Sequence, residues 1–149
     1  THGYGVHQDY TNWQEVPVPP EALLSVLFAV DDSSAEKGGL EFFPGFHHAH
    51  YREHEKPSNI FDPQAGLVPA AVLEGHTSVS CELEAGDLVL FHSLTPHQSG
   101  INHSRETRCS IYYSYSEASY GDVYETYYRN FYGYLRKDRA ADGDLLHVR

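Results

Sequence analysis

The sequence predicts a mainly β chain, an all-β sandwich or jelly roll followed by one C-terminal helix. Three observations carry this. Strand-length apolar runs recur through the first 116 residues, each bounded by turn residues. The turns contain glycine or acidic pairs, as short antiparallel connections do. After residue 120 the apolar spacing lengthens from two to about 3.6 residues. Taken in order, residues 23–30 (L-L-S-V-L-F-A-V) form a continuous apolar run stopped by Asp31-Asp32-Ser33-Ser34. Lys37-Gly38-Gly39 turns the chain into residues 40–43, which end at Pro44-Gly45. Residues 79–83 alternate loosely, Glu84-Ala85-Gly86-Asp87 makes a tight turn, and residues 88–92 resume as a strand. Residues 108–115 place Cys109, Ile111, Tyr113 and Tyr115 on one face at period two.

Two stretches depart from the strand pattern. Residues 46–70 are polar, contain Pro57 and Pro63 and lack periodicity, which reads as a long loop of the kind used for lids or binding. Over about residues 120–140, Val123, Tyr127, Phe131, Tyr134 and Leu135 fall on one helical stripe, that of a packing helix. Arg136, Lys137 and Arg139 in its last turns suit the negative end of the helix dipole. The expected organisation is one domain over residues 1–149 with its core in residues 4–116.

Composition narrows the function. A net charge of −11 disfavours nucleic acid and anionic membrane surfaces, which carry the same sign, and no apolar run reaches the length of a membrane span. Cys81 and Cys109 lie in apolar strand-like runs without paired-ligand spacing, so both are expected as buried free thiols in a reducing, cytoplasmic compartment. No stretch resembles a signal or transit peptide. The sequence has no methionine and opens at Thr1 with a motif already under way, so a fragment or processed form, N-terminally incomplete, is expected.

Two pieces ninety residues apart carry the chemistry. The first is His7-Gln8-Asp9; the second runs from Pro96 to Arg108, P-H-Q-S-G-I-N-H-S-R-E-T-R. His7, Asp9 and His97 offer two imidazoles and a carboxylate, a set that leaves neighbouring positions open on iron(II). On a strand, residues two apart point the same way, so His7 and Asp9 can converge on one ion. Arg108, eleven residues after His97, can clamp the far carboxylate of a keto-diacid bidentately. A lone His-x-Asp decides nothing, and His92 competes with His97 as third ligand. His47, His48, His50 and His54 form a second cluster, read as solvated loop histidines.

The stretch G-D-L-V-L-F-H-S-L-T-P-H-Q-S-G-I-N-H-S-R-E-T-R resembles the distal site motif of the phytanoyl-CoA dioxygenase family, and L-E-F-F-P-G-F-H at residues 40–47 resembles that family's turn-strand-Pro-Gly-Ser-His element. The similarity runs from about His7 to Tyr115. Phe46 stands where the family usually has serine, and Gly38-Gly39 replaces the commoner Asn-Gly of a type I′ turn. The resemblance implies a double-stranded β-helix, a cupin-like jelly roll. It implies iron(II) on His7, Asp9 and His97, with 2-oxoglutarate on Arg108 assisted by Ser99. It also implies use of O2, release of succinate and carbon dioxide, and hydroxylation of a substrate. Retention of Asp9 favours hydroxylation over halogenation, which needs a small residue there, and leaves desaturation and ring closure open.

Gln8 and Trp13 follow the ligand pair closely and are candidates to line the pocket mouth, with Tyr112, Tyr113 and Arg105 as further candidates. The absence of a basic cluster points to a small metabolite or natural-product intermediate rather than a CoA ester. Two rivals remain at this point: a metal-dependent cupin enzyme that does not use 2-oxoglutarate, and a non-catalytic β-sandwich binding module. The oligomeric state is not legible.

Overall fold

The computed structural model describes residues 3–51 and 67–129. Among the described residues seven strands run in the order β1 (Tyr4–His7), β2 (Leu23–Ala29), β3 (Leu40–Phe42), β4 (Val79–Ser80), β5 (Leu88–His92), β6 (His97–Ser99) and β7 (Ser110–Ser116). They form two antiparallel sheets, one ordered β1-β6-β3-β4 and the other β5-β2-β7. The fold is a jelly roll, mainly β, and a helix, α1, opens at residue 124. Residues 124–129 are helical; the rest of the expected 120–140 helix, and residues 52–66 of the expected loop, lie outside the described residues.

β2 shows why the two sheets face one another. Its seven residues alternate, with Leu23, Ser25, Leu27 and Ala29 buried and Leu24, Val26 and Phe28 turned outward. Leu27 and Ala29 pack with Leu40 of β3 and Phe91 of β5, and this cluster fills the space between the sheets. A second cluster, Val16, Val18, Leu23 and Val123, joins the chain after β1 to the start of α1. A third, Phe43, Val68 and Leu73, holds the ends of the long loop. Phe46, the residue in place of serine, packs there against Tyr51 and His76.

On β7, Ile111, Tyr113 and Tyr115 share a face, as period two implies, and it is the outer one, paired with Phe28, Val26 and Leu24. Leu88 and Leu90 of β5 join it, and Leu88, Leu90, Tyr113 and Tyr115 are each at least half exposed. Cys109 is accordingly exposed rather than buried, whereas Cys81 is partly buried against the inter-sheet cluster; both thiols are free. Only Gly38 of the Gly38-Gly39 pair takes a positive φ (+73°), so the turn is not type I′, which needs two.

Candidate metal and co-substrate site

β1 pairs with β6 through Tyr4↔Ser99 and His7↔His97, so β1 spends three residue steps where β6 spends two. The extra residue is a bulge, and it re-aims the strand. Tyr4 and His7, three apart, therefore face the same way, their rings meeting edge-on at 4.3 Å. His7 is the last residue of β1 and Asp9 opens a 3-10 turn, so the pair does not share one strand as expected. Gln8 between them is extended, which preserves the alternation and returns Asp9 toward His7.

The same alternation sends Gln8 the other way. It is fully buried, donating to the carbonyls of Ala49 and Leu94 and accepting from the Tyr51 amide at 2.6–2.9 Å. The expectation that Gln8 lines the pocket is corrected: it ties the start of the long loop to the segment before His97. Gln8→Ala would leave three backbone groups without their partner, the buried Leu94 carbonyl and two part-buried groups at Ala49 and Tyr51. A loss of about 2–4 kcal/mol of stability is expected in urea denaturation, and an unchanged midpoint would refute the anchoring role.

His97 opens β6 and is 2% exposed, boxed by Phe91 and Phe42 at ring-centroid distances of 4.8 and 5.8 Å. Its Nδ1 lies 2.9 Å from the Thr95 carbonyl, and His7 Nδ1 lies 2.9 Å from the Gly5 carbonyl. A carbonyl only accepts, so both Nδ1 atoms carry hydrogen and both Nε2 lone pairs are free for a metal. Those Nε2 atoms lie 3.6 Å (His7) and 3.5 Å (His97) from Asp9 Oδ1. Ligands at right angles on a six-coordinate ion at about 2.1 Å lie about 3 Å apart, so a small contraction closes the triad on a metal. Ser25, the one polar residue of the β2 run, donates to Asp9 Oδ2 and leaves Oδ1 for the ion. Its position as a lone hydroxyl at an inward place in an apolar strand was the available signal, and it was missed.

Electrostatics agree with that donor set. Burial acts to raise the Asp9 carboxyl, but the two imidazoles beside it and the Ser25 hydroxyl outweigh it and hold it below the ordinary range. Burial pushes the His97 imidazole down against the opposing pull of Asp9, which favours the neutral, ligating form. A histidine whose folded pKa is depressed binds its proton more readily when unfolded. Stability therefore rises with pH through the window below about 6.5 and is lost as pH falls. The melting temperature of metal-free protein is expected to drop between about pH 7 and pH 5.5, with a shallower drop in His97→Gln; parallel curves would show that His97 is not responsible.

His7, Asp9 and His97 are the one group among the described residues whose possible ligand atoms all lie within 4.8 Å of one another. His92 stands elsewhere, on the outer register of β5, accepting from the Leu94 amide, with its ring 5.7 Å from that of His47. His47 and His48 touch at 4.1 Å without forming a metal group; His54 lies outside the described residues.

The triad opens on a cavity of about 370 Å³ that also reaches Ser99, Trp13 and Tyr127. Trp13 stacks on Tyr127 of α1 with centroids 4.1 Å apart and planes 23° apart, so the helix that packs beside the fold also walls the site. Arg108 is partly buried and does not itself line the cavity. Its Nε donates to the Lys37 carbonyl at 3.1 Å, and it lies close enough to the cavity-lining Tyr112 to act on its phenol by charge and hydrogen bonding. Tyr113 lines the cavity beside Tyr112, whereas Arg105 and His103 are not part of its wall.

Residues 1–110 match the family model described as phytanoyl-CoA dioxygenase (PhyH). The chain belongs to the phytanoyl-CoA dioxygenase family. Among curated relatives it is 26% identical over 126 residues to a methylphosphonate hydroxylase of Gimesia maris, covering 85% of this chain and 44% of the relative. It is 27% identical over 131 residues to a 2-aminoethylphosphonate dioxygenase of the uncultured bacterium HF130_AEPn_1, covering 86% and 45%. The chain thus spans somewhat less than half the length of these two relatives. Its fold is similar to that of SnoN, an epimerase of nogalamycin biosynthesis solved with Fe3+, alpha-ketoglutarate and nogalamycin RO, with TM-score 0.62, 24% identity, and 83% of this chain and 48% of that one covered. Among the described residues no helix is long and apolar enough to cross a membrane.

Proposed function

We propose that the chain carries the iron(II) and 2-oxoglutarate centre of a dioxygenase that hydroxylates a small molecule. The observation that carries this reading is the convergence of His7 Nε2, His97 Nε2 and Asp9 Oδ1, with both imidazole tautomers fixed by carbonyls behind them. One carboxylate and two neutral imidazoles cancel a single charge of the metal, which leaves it able to take a dianionic keto-acid. When bound, iron with 2-oxoglutarate and O2 supplies the oxidising power, and succinate and carbon dioxide leave. The chain's own residues position and exclude water. Ser25 orients Asp9, Phe42 and Phe91 shield His97, Arg108 holds the far carboxylate, and Ser99 adds a hydroxyl at the cavity wall.

The phosphonate-oxidising relatives support a small-molecule substrate. Trp13 with Tyr127 is the surface offered to it. One exposed and one partly buried free thiol fit a reducing cytoplasm.

The test is an anaerobic titration with iron(II) and then 2-oxoglutarate, following the visible charge-transfer band of the chelate. A band is expected from the native protein, with weaker co-substrate binding in Arg108→Ala. Tight iron binding with no response to 2-oxoglutarate would instead favour the cupin enzyme. Failure to bind either would favour the non-catalytic module.

A further inference from the structure

The cavity over the metal triad is walled by aromatic rings from four separate parts of the chain. Tyr4 comes from β1, Trp13 from the end of the 3-10 turn that Asp9 opens, Tyr112 from β7 and Tyr127 from α1. Trp13 and Tyr127 stack on one another, and Tyr4 stands edge-on to His7. Tyr112 pairs with the buried Leu27 of β2, which puts it on the inward face of β7. Burial pushes the Tyr4, Tyr112 and Tyr127 phenols up, and the Asp9 carboxylate adds to the rise at each, so its field reaches all three rings. Such phenols stay protonated and present neutral rings with a negative face.

Charge decides what this wall can hold. Among the described residues no lysine or arginine lines the cavity. Arg108 lies beside Tyr112 but off the cavity wall, and it is already matched to the far carboxylate of the co-substrate. Asp9 and the chelating carboxylate balance the two charges of iron(II), and the imidazoles are neutral. A loaded centre therefore has no surplus positive charge for a second anion, and the whole chain carries −11. For a cation every term reverses. The faces of tryptophan and tyrosine attract it, tryptophan most strongly, and the field of the protein draws it in. At about 370 Å³ the cavity is near the lower end of ligand pockets, which suits a small compound.

Resting on the reading of the triad as an iron(II) and 2-oxoglutarate centre, we propose that the substrate is a small organic cation, an alkylated ammonium whose charged head is held by the rings of Tyr4, Trp13, Tyr112 and Tyr127. The rings supply the affinity, and their hydroxyls are dispensable to it.

Trp13 is the one tryptophan of the sequence, so its fluorescence reads the cavity directly. Protein loaded with iron(II) and 2-oxoglutarate is titrated under anaerobic conditions with three probes of similar size, followed by that fluorescence and by calorimetry. Choline is the cation, 3,3-dimethylbutan-1-ol its uncharged isostere, and 2-hydroxyethylphosphonate the anion. Choline is expected to bind about tenfold or more tighter than the isostere, with the phosphonate weakest. Tyr4 is 41% exposed, so its replacement is expected to leave the fold intact. Tyr4→Phe, which keeps the ring, should retain choline affinity. Tyr4→Leu should weaken choline about threefold or more and leave the alcohol unchanged.

No binding of choline, or equal affinity for choline and its isostere, would overturn the proposal, as would tighter binding of the phosphonate. Equal loss of choline affinity in Tyr4→Phe and Tyr4→Leu would overturn it too, since the hydroxyl and not the ring would then be the contact. These outcomes count in protein that shows the charge-transfer band of the iron and 2-oxoglutarate chelate. Native protein without that band refutes the reading from which the proposal starts.

Discussion

His97→Ala is expected to abolish measurable iron(II) binding while leaving the fold recognisable. Three facts set the size of the effect. The imidazole is 2% exposed, so no water can easily replace it with similar geometry. Its Nε2 is one of three donors, and two donors do not define an open face on the metal. Its Nδ1 is committed to Thr95, so its orientation is set before metal arrives. Loss of an outer partner of a metal ligand costs about 10–100-fold in affinity, and loss of the ligand must cost more. Ser25→Ala, which removes only the hydroxyl on Asp9 Oδ2, should fall within that smaller range. His92→Ala should leave iron affinity unchanged, since its ring faces His47 and not the triad. An anaerobic iron(II) titration of the three variants reads all of this. Retained binding in His97→Ala with loss in His92→Ala would reverse the ligand assignment.

Gly38→Ala is expected to be the most damaging single methyl in the described structure. Gly38 has φ +73°, and a Cβ there would lie 2.5 Å from the Gly100 carbonyl oxygen, 2.9 Å from the Ile101 carbonyl carbon and 3.0 Å from the Asn102 amide nitrogen. All three are backbone, so no side chain can swing aside. The left-handed conformation costs an L-residue about 1–2 kcal/mol, and moving the 100–102 segment brings the expected total to about 3–4 kcal/mol. Gly45→Ala makes the comparison: φ is +86° but nothing lies within 4 Å, so only the conformational part applies. The damage also has a direction. The carbonyl of Lys37, next in the chain, receives Arg108 Nε, and Gly100 follows Ser99. Whatever Gly38→Ala protein folds should therefore bind 2-oxoglutarate more weakly, with iron affinity less affected. Thermal denaturation and the two-step titration separate these; equal stabilities of the Gly38→Ala and Gly45→Ala proteins would refute the steric account.

The parts of the site that sequence made legible are those defined by residue type at fixed spacing. His7-x-Asp9 and the interval from His97 to Arg108 could be placed before any strand pairing was known. Strand locations followed from apolar runs, and β5 matched its expected bounds. What escaped depends on partners distant in the chain. Gln8 meets Ala49, Tyr51 and Leu94, separated from it by 41, 43 and 86 residues. Position i+1 next to a metal ligand suggested substrate contact, while the alternation of an extended chain pointed it into the interior. The bulge that brings Tyr4 beside His7 needs β6 as its ruler. The outward face of β7 could not be told from an inward one, because period two names two faces and burial alone says which is inside. Trp13 lines the cavity and at the same time packs on Tyr127.

That outer face of β5-β2-β7 is an apolar surface on which copies of this chain are expected to meet. Apolar side chains from three adjacent strands lie open there, and β5 and β7 are edge strands among the described residues. Opposing this is the net charge of −11, which keeps identical molecules apart. The two forces differ in range. Repulsion reaches about 10 Å in 0.1 M salt and about 3 Å in 1 M salt, whereas sheet-face attraction acts at contact and salt leaves it intact. Self-association is therefore expected to rise with ionic strength, and light scattering between about 0.1 M and about 1 M salt checks it.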